Sequence, residues 1–360
     1  MTAPTPGPVP DHDRFFRFQI DPVRDGIDEP CRVVVHDRAA GDFCARHVLQ
    51  AGETWEGSLR DLSPNPFSLK VKLQVMRDGR WQDHVRYRPL LQEQVFEDEL
   101  KYLFFPRPGA RRLIVVFQAI NTRQSYNYIG TLSDLNAHRL YIKDDYGSDP
   151  LTRSSYYLGP NRSLTIADKV QRLIAQIRQD WGLPARDVIT AGSSKGGYAA
   201  IYHGLRAGAG DVIAGGPQIM LGSYLNTPAR DSVLPPILEY LAGTVSAEAE
   251  AWANSILVDL LRSRTGWPTT VHFHVGTGEP HYERHALPFK ALAQEQGLQV
   301  AWDLRSYDTH EELAAHFPVF LSGTLAVLAQ KKKTEIQNAH RTGSCVPQSA
   351  RAKEQAHPAV

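Results

Sequence analysis

Val188-Ile-Thr-Ala-Gly-Ser-Ser-Lys-Gly-Gly-Tyr-Ala-Ala-Ile-Tyr-His-Gly204 changes character twice along its length. Val188 to Ala191 reads as a short apolar strand and Gly192 to Gly197 as a turn. The run from Tyr198 is rich in small residues, free of breakers and suited to a helix. Gly192-x-Ser194-x-Gly196 is the G-x-S-x-G pattern of a serine on a sharp strand-to-helix turn. Such a turn strains the serine backbone and brings strand and helix close together, so its neighbours must be small. Ser194 is then expected above the carboxyl edge of a sheet. The Lys195 N–H is expected at the helix N-terminus, where unpaired donors and the helix dipole favour a developing oxyanion. Ser193 is the competing nucleophile, but only Ser194 has glycine two residues before and two residues after it. The pattern also arises in tight turns that carry an incidental serine. A phosphate-binding loop is not indicated, because the G-x-x-x-x-G-K-[ST] spacing is absent.

Outward from this turn, residues 1–13 are Pro-rich and are expected to form a disordered tail. Residues 14–100 carry β signals. Phe67, Leu69, Val71, Leu73 and Val75 alternate with polar residues, and Asp78-Gly79 predicts a hairpin turn. They predict a small antiparallel, sandwich-like β domain that serves as a scaffold or binds carbohydrate. Residues 101–330 alternate strand and helix signals and predict a doubly wound, mostly parallel α/β sheet with ligands at the strand carboxyl ends. Arg112–Phe117, Leu140–Lys143, Asp211–Gly216, Thr270–Val275 and Leu298–Leu304 are its other strands. Thr165 and Asp168 predict a capped helix start, and residues 226–268 a helical segment able to cap the site. From Lys331 the chain turns polar and reads as a second disordered tail, residues 331–360.

Composition narrows the function classes. A chain of 360 residues, 42% hydrophobic and 22% charged with net charge +1, suits a soluble two-domain protein and gives no electrostatic case for nucleic acid. Cys31, Cys44 and Cys345 lack metal-ligand spacing, so neither a zinc site nor a disulfide framework is expected. The N-terminus does not read as a signal peptide, and no uninterrupted apolar run has the length of a membrane span. The expectation is a cytoplasmic protein without direct membrane insertion, metal or cofactor; oligomeric state is not legible.

A serine hydroxyl needs a base within hydrogen-bond reach to act as a nucleophile. In the α/β-hydrolase order the acid and then the histidine follow the serine, each at a strand end. Glu279 follows the strand ending at Val275, and His310 follows the last strand. Ser194 is therefore the candidate nucleophile, His310 the base and Glu279 the group that orients the imidazole. His281, His316 and Asp308 are rivals by proximity. The oxyanion donors are expected to be the Lys195 N–H together with the N–H of Gln118 or Ala119, in the loop after the first strand of the α/β region. The Lys195 side chain is expected to face away from the attacked carbonyl. Gln218, after the following strand, points to the same edge as a substrate-binding candidate. Tyr156 and Tyr157 either line the pocket or pack.

Gly192-Ser-Ser-Lys-Gly-Gly-Tyr-Ala-Ala-Ile-Tyr202, Gly215-Gly-Pro-Gln218, Gly276-Thr-Gly-Glu-Pro-His-Tyr282 and Tyr307-Asp-Thr-His310 together resemble bacterial α/β-hydrolase-like proteins of capsule and surface-glycan biosynthesis. They are also similar to the accessory Sec-system subunit that O-acetylates adhesin glycans, in which a β domain precedes a Ser-acid-His hydrolase domain. The resemblance spans roughly residues 100–325. It implies ester chemistry through an acyl-enzyme on a small-molecule or glycan acyl ester, with Ser194, Glu279 and His310 as the triad. A peptidase or thioesterase of the same fold, or a silent module that binds a partner in glycan synthesis or secretion, are the alternatives.

Overall fold

The computed structural model describes residues 11–90, 93–121, 124–147, 153–227 and 233–343, the last of these as backbone beyond residue 330. The N-terminal strands are β1 (Arg17–Ile20), β2 (Cys31–Asp37), β3 (Asp42–Leu49) and β4 (Trp55–Ser58), followed by the short helix α1 (Leu59–Leu62), β5 (Leu69–Arg77) and β6 (Arg80–Pro89). They form a four-stranded antiparallel sheet, β3-β2-β5-β6, and a two-stranded ribbon, β1-β4. Alternation in β5 buries Leu69, Val71, Leu73 and Val75 in a core shared with Phe18 and Ile20 of β1. Asp78 and Gly79 turn between β5 and β6 at φ 50° and 71°, the conformation an Asp-Gly hairpin turn requires.

The main sheet contains β7 (Gln94–Phe96), β8 (Leu100–Phe105), β9 (Leu113–Phe117) and β10 (His138–Ile142). Helix α2 (Thr165–Asp180), β11 (Val188–Ser193), α3 (Lys195–Ala207) and β12 (Asp211–Gly215) come next, then helices α4 (Leu221–Leu225), α5 (Leu234–Ala242) and α6 (Ala247–Arg262). The chain continues through β13 (Thr270–Gly276), α7 (Leu287–Glu295), β14 (Gln299–Arg305) and α8 (Leu313–Gly343). The eight strands run in the order β14-β13-β12-β11-β9-β10-β8-β7. Strands β9 to β14 are mutually parallel, and β8 and β7 add antiparallel pairing at one edge. Every residue of β9, β10 and β11 is buried, as a parallel sheet covered on both faces requires. Helices α2, α3, α5, α6 and α7 contribute to the core on one face, and α8 covers the other. The chain leaves β9 for β10 on one side and returns to β11 and β12 on the other. The carboxyl end of β11 therefore lies at the topological switch point, where open α/β sheets bind ligands.

Several expectations need correction. The β region ends near Pro89 rather than residue 100, because β7 and β8 pair into the main sheet. Thr165 and Asp168 do not cap α2. Leu164 is the N-cap at φ 53° without a side-chain hydrogen bond, and Asp168 pairs with Arg206 at 2.7 Å. Residues 226–268 are helical in α5 and α6, but Leu238, Leu241, Ala253 and Leu257 commit these helices to the main core. Residues 228–232 of that segment lie outside the described residues. The polar stretch from Lys331 continues α8 as helix to Gly343, and residues 1–10 and 344–360 of the expected tails lie outside the described residues. The segment His310–Gln330 has the length and composition of a membrane-crossing helix, although polar residues interrupt it. It packs Leu313, Phe317, Leu321, Leu325 and Leu328 into the core as a covering helix.

Candidate active site

Ser194 stands between β11 and α3 at φ 54°, ψ −123°, a backbone conformation that non-glycine residues seldom adopt. Its N–H donates to the Gly215 carbonyl at 2.7 Å, which fixes the turn against β12. The flanking glycines are required sterically. A Cβ on Gly192 would stand 2.3 Å from the Gly196 oxygen, and one on Gly196 would stand 2.4 Å from the Phe117 oxygen. Ser193 faces elsewhere, with its Oγ 2.5 Å from the Tyr128 hydroxyl.

His310 reaches Ser194 from the loop after β14, with Nε2 2.9 Å from the serine Oγ. Its Nδ1 lies 2.8 Å from Glu279 Oε2. The other Glu279 oxygen accepts the Gly276 N–H at 3.1 Å, so the carboxylate is buried but held at both oxygens. The His310 loop is itself fixed. One Glu312 oxygen accepts the Asp308 N–H at 3.2 Å, the Thr309 N–H at 3.0 Å and the Thr309 hydroxyl at 3.0 Å. The structure thus brings together the three residues expected to act in concert. His316 stacks on Tyr307 at 4.8 Å, and the Asp308 carboxylate lies against Gly278.

Gln218 is fully buried beside the serine. Its Nε2 lies 3.0 Å from Ser194 Oγ, 3.1 Å from His281 Nε2 and 3.2 Å from the Gly216 oxygen. Its Oε1 accepts the Tyr156 hydroxyl at 3.4 Å. His281 lies flat against His310, ring centroids 4.0 Å apart and planes 20° apart. Burial, then the neighbouring His310, His285 and Arg284, push the His281 pKa down to about 2, so its ring is neutral. Burial, then the neighbouring Arg284 and His310, push His285 down to about 4, and its Nδ1 accepts the Met220 N–H at 3.2 Å.

Of the expected oxyanion donors, the Gln118 and Ala119 N–H groups are engaged elsewhere. The Gln118 N–H donates to the Tyr157 hydroxyl at 2.8 Å and the Ala119 N–H to Asn127 Oδ1 at 3.0 Å, so the protein's own acceptors engage both. The Lys195 N–H, at the first position of α3, has no intrahelical acceptor. The Lys195 side chain turns to Asp144, Nζ to Oδ2 3.0 Å, with side-chain exposures of only 1% and 0%. Asp144 also accepts the hydroxyls of Ser154 at 3.1 Å and Ser155 at 2.7 Å and the Ser155 N–H at 2.9 Å. This pins the segment leading to Tyr156 and Tyr157, which hold φ 50° and 58°. Both rings are fully buried: they pack beneath the site, and Tyr156 reaches it through Gln218.

Glu279, His281 and His310 carry potential metal-ligand atoms within 4.8 Å of one another. Their geometry suits hydrogen bonding better than a tetrahedral metal, because two nearly parallel imidazoles do not aim their in-plane lone pairs at one point.

Asp144 and Glu312 were not anticipated as contributors to the site, and His281 was weighed only as a rival to His310. Thr309-x-x-Glu312 is legible in sequence as a capping box, whereas Asp144 carries no local signal.

No protein-family model matches the chain, and no curated protein does. Solved structures do match it. The capsule O-acetyltransferase of Neisseria meningitidis serogroup A superposes with a TM-score of 0.55 at 21% identity, over 66% of this chain and 94% of that one. The glycosylation-associated Gap123 complex of Streptococcus agalactiae gives 0.54 at 16% identity, over 87% of this chain and 63% of that one. An acylaminoacyl peptidase gives 0.50 at 12% identity, over 74% of this chain and 46% of that one. At such identities the likeness speaks for fold. The chain has the α/β-hydrolase fold, preceded by a small antiparallel β region.

Proposed function

We propose that the protein is a serine-dependent esterase or O-acyltransferase that works through an acyl-enzyme at Ser194. The observation that carries this reading is the unbroken chain from Ser194 Oγ through His310, 2.9 Å away, to Glu279, 2.8 Å further on, beneath a serine held at positive φ. In this reading the Ser194 hydroxyl donates its proton to His310 Nε2 as Oγ attacks the acyl carbonyl. His310 Nδ1 donates to Glu279, which holds the tautomer and stabilises the imidazolium. The tetrahedral oxygen is stabilised by the Lys195 N–H at the start of α3 and by the Gln218 amide, whose hydrogen bond to Ser194 Oγ passes to the new oxyanion as Oγ bonds the acyl carbon. His310 then protonates the leaving group, and water or an acceptor hydroxyl releases the acyl group from the serine.

The glycan side of the reading draws on the structural neighbours. One is a capsule O-acetyltransferase, a variant of which has been solved in complex with CoA. The test is to supply p-nitrophenyl acetate or acetyl-CoA with and without sugar acceptors, following donor loss and acetylated sugar by mass spectrometry. Acetylated sugar supports transfer, and donor loss without it supports hydrolysis. Neither product from any donor would overturn the enzymatic reading and favour a partner-binding module.

A further inference from the structure

Where the N-terminal β region meets the main sheet, the surface folds into a cleft of about 770 Å³. That is within the usual range for small-ligand sites. None of Ser194, Gln218, Glu279 and His310 lines it. Arg139 stands near the amino end of β10, whereas Ser194 follows the carboxyl end of the parallel strand β11, so the cleft and the triad occupy opposite edges of the sheet.

The charge of the cleft is unbalanced. Arg38, Arg60, Lys70, Arg107 and Arg139 line it, against the carboxylate of Asp134. Arg60 is paired with Asp13, and Asp134 accepts the Ser133 hydroxyl. Asp37, beneath the same wall, is saturated by the hydroxyls of Ser63 and Ser68 and the N–H groups of Ala39 and Ala40. Arg38, Lys70, Arg107 and Arg139 have no carboxylate partner among the described residues.

Arg139 is the most telling of these. It is 7% exposed, its guanidinium lies 4.6 Å from the Phe105 ring centroid, and Nη1 donates to the Leu132 carbonyl at 2.9 Å. Its buried Nε has no hydrogen-bond partner. Burial and, to a smaller extent, the neighbouring Arg107 lower its pKa, opposed by the Tyr141 hydroxyl and the Asp134 carboxylate. A desolvated cation balanced only by the Asp134 carboxylate of the same cleft, amid several other cations, is costly, and an anion in the cleft would offset that cost.

We propose that this cleft is a second binding site, for an oxyanion: a carboxylate or phosphate group, free or carried on a sugar-sized ligand. Arg139 supplies a charge at the wall, held in place by the Phe105 ring and the Leu132 carbonyl. Arg38, Lys70 and Arg107 close around the same group from the mouth. Asn65 and Ser133 add neutral partners for ligand hydroxyls.

Calorimetric titration of the full chain with inorganic phosphate, trigalacturonate and maltotriose tests this. At least one charged probe should bind, more weakly as salt is raised, and neutral maltotriose should not. Tighter binding of trigalacturonate than of phosphate would identify a sugar-borne anion, and the reverse a free one. The double variant Lys70→Gln/Arg107→Gln should weaken binding by about tenfold or more, with melting temperature and p-nitrophenyl acetate turnover unchanged. Failure of both charged probes to bind, or equal binding by the double variant, would overturn the proposal. The readout is binding, so the result is independent of whether Ser194 is a nucleophile.

Discussion

Gln218 touches the serine oxygen, His281 and, through its carbonyl, Tyr156, so one buried amide connects the nucleophile to two buried rings. Removing it in Gln218→Ala should lower kcat by about a hundredfold with KM little changed, the signature of a donor used in the transition state. Steady-state kinetics on p-nitrophenyl acetate checks this. Glu279→Gln keeps the shape of the acid but removes the charge that fixes the His310 tautomer. A fall in kcat of about three to four orders of magnitude is expected, with the melting temperature nearly retained. At this scale Ser194, His310 and Glu279 were legible because each follows a readable strand in a fixed chain order. The engagement of the Gln118 and Ala119 N–H groups was not, because their acceptors, Tyr157 and Asn127, are brought in by the tertiary fold.

The turn from β11 into α3 works only because backbone meets backbone. In Gly196→Ala the new Cβ would lie 2.4 Å from the Phe117 carbonyl oxygen, rigid main chain that cannot swing aside. Urea denaturation should show a loss of about 1–3 kcal/mol or more, the usual penalty of overpacking. Beneath the turn, Asp144→Ala leaves Lys195 as a buried charge without its carboxylate and frees the Ser154–Tyr157 segment. A loss of about 3–5 kcal/mol is expected in the same measurement. The parallel strands could be read from sequence because burial on both faces writes them as continuous apolar runs. The start of α2 could not, because Leu164 enters at positive φ and Asp168 is drawn to Arg206 on α3. Nor could the pairing of β8 with β10 and of β7 with β8, since both strands carry ordinary β signals that do not say which sheet they join.

Over the whole molecule, buried histidines link stability to pH, and three of them are shifted furthest. His203, His281 and His285 are pushed from an ordinary 6.5 down to about 3, about 2 and about 4, in each case chiefly by burial. Below pH 6.5 the unfolded chain therefore takes up protons at these positions that the folded chain refuses. Their contribution is fully present above that pH and is lost progressively as the pH falls towards the folded values. The melting temperature should drop steadily from pH 7 to pH 4, and His203→Gln should shallow the slope; an unchanged slope would exclude His203 as a contributor. The central claim concerns Ser194, and covalent labelling tests it most directly. A fluorophosphonate probe should label the intact protein at one site, mapped by peptide mass spectrometry to Ser194, and should leave Ser194→Ala unlabelled. Labelling of the alanine variant, attachment at Ser193, or no labelling of the folded protein would contradict the account.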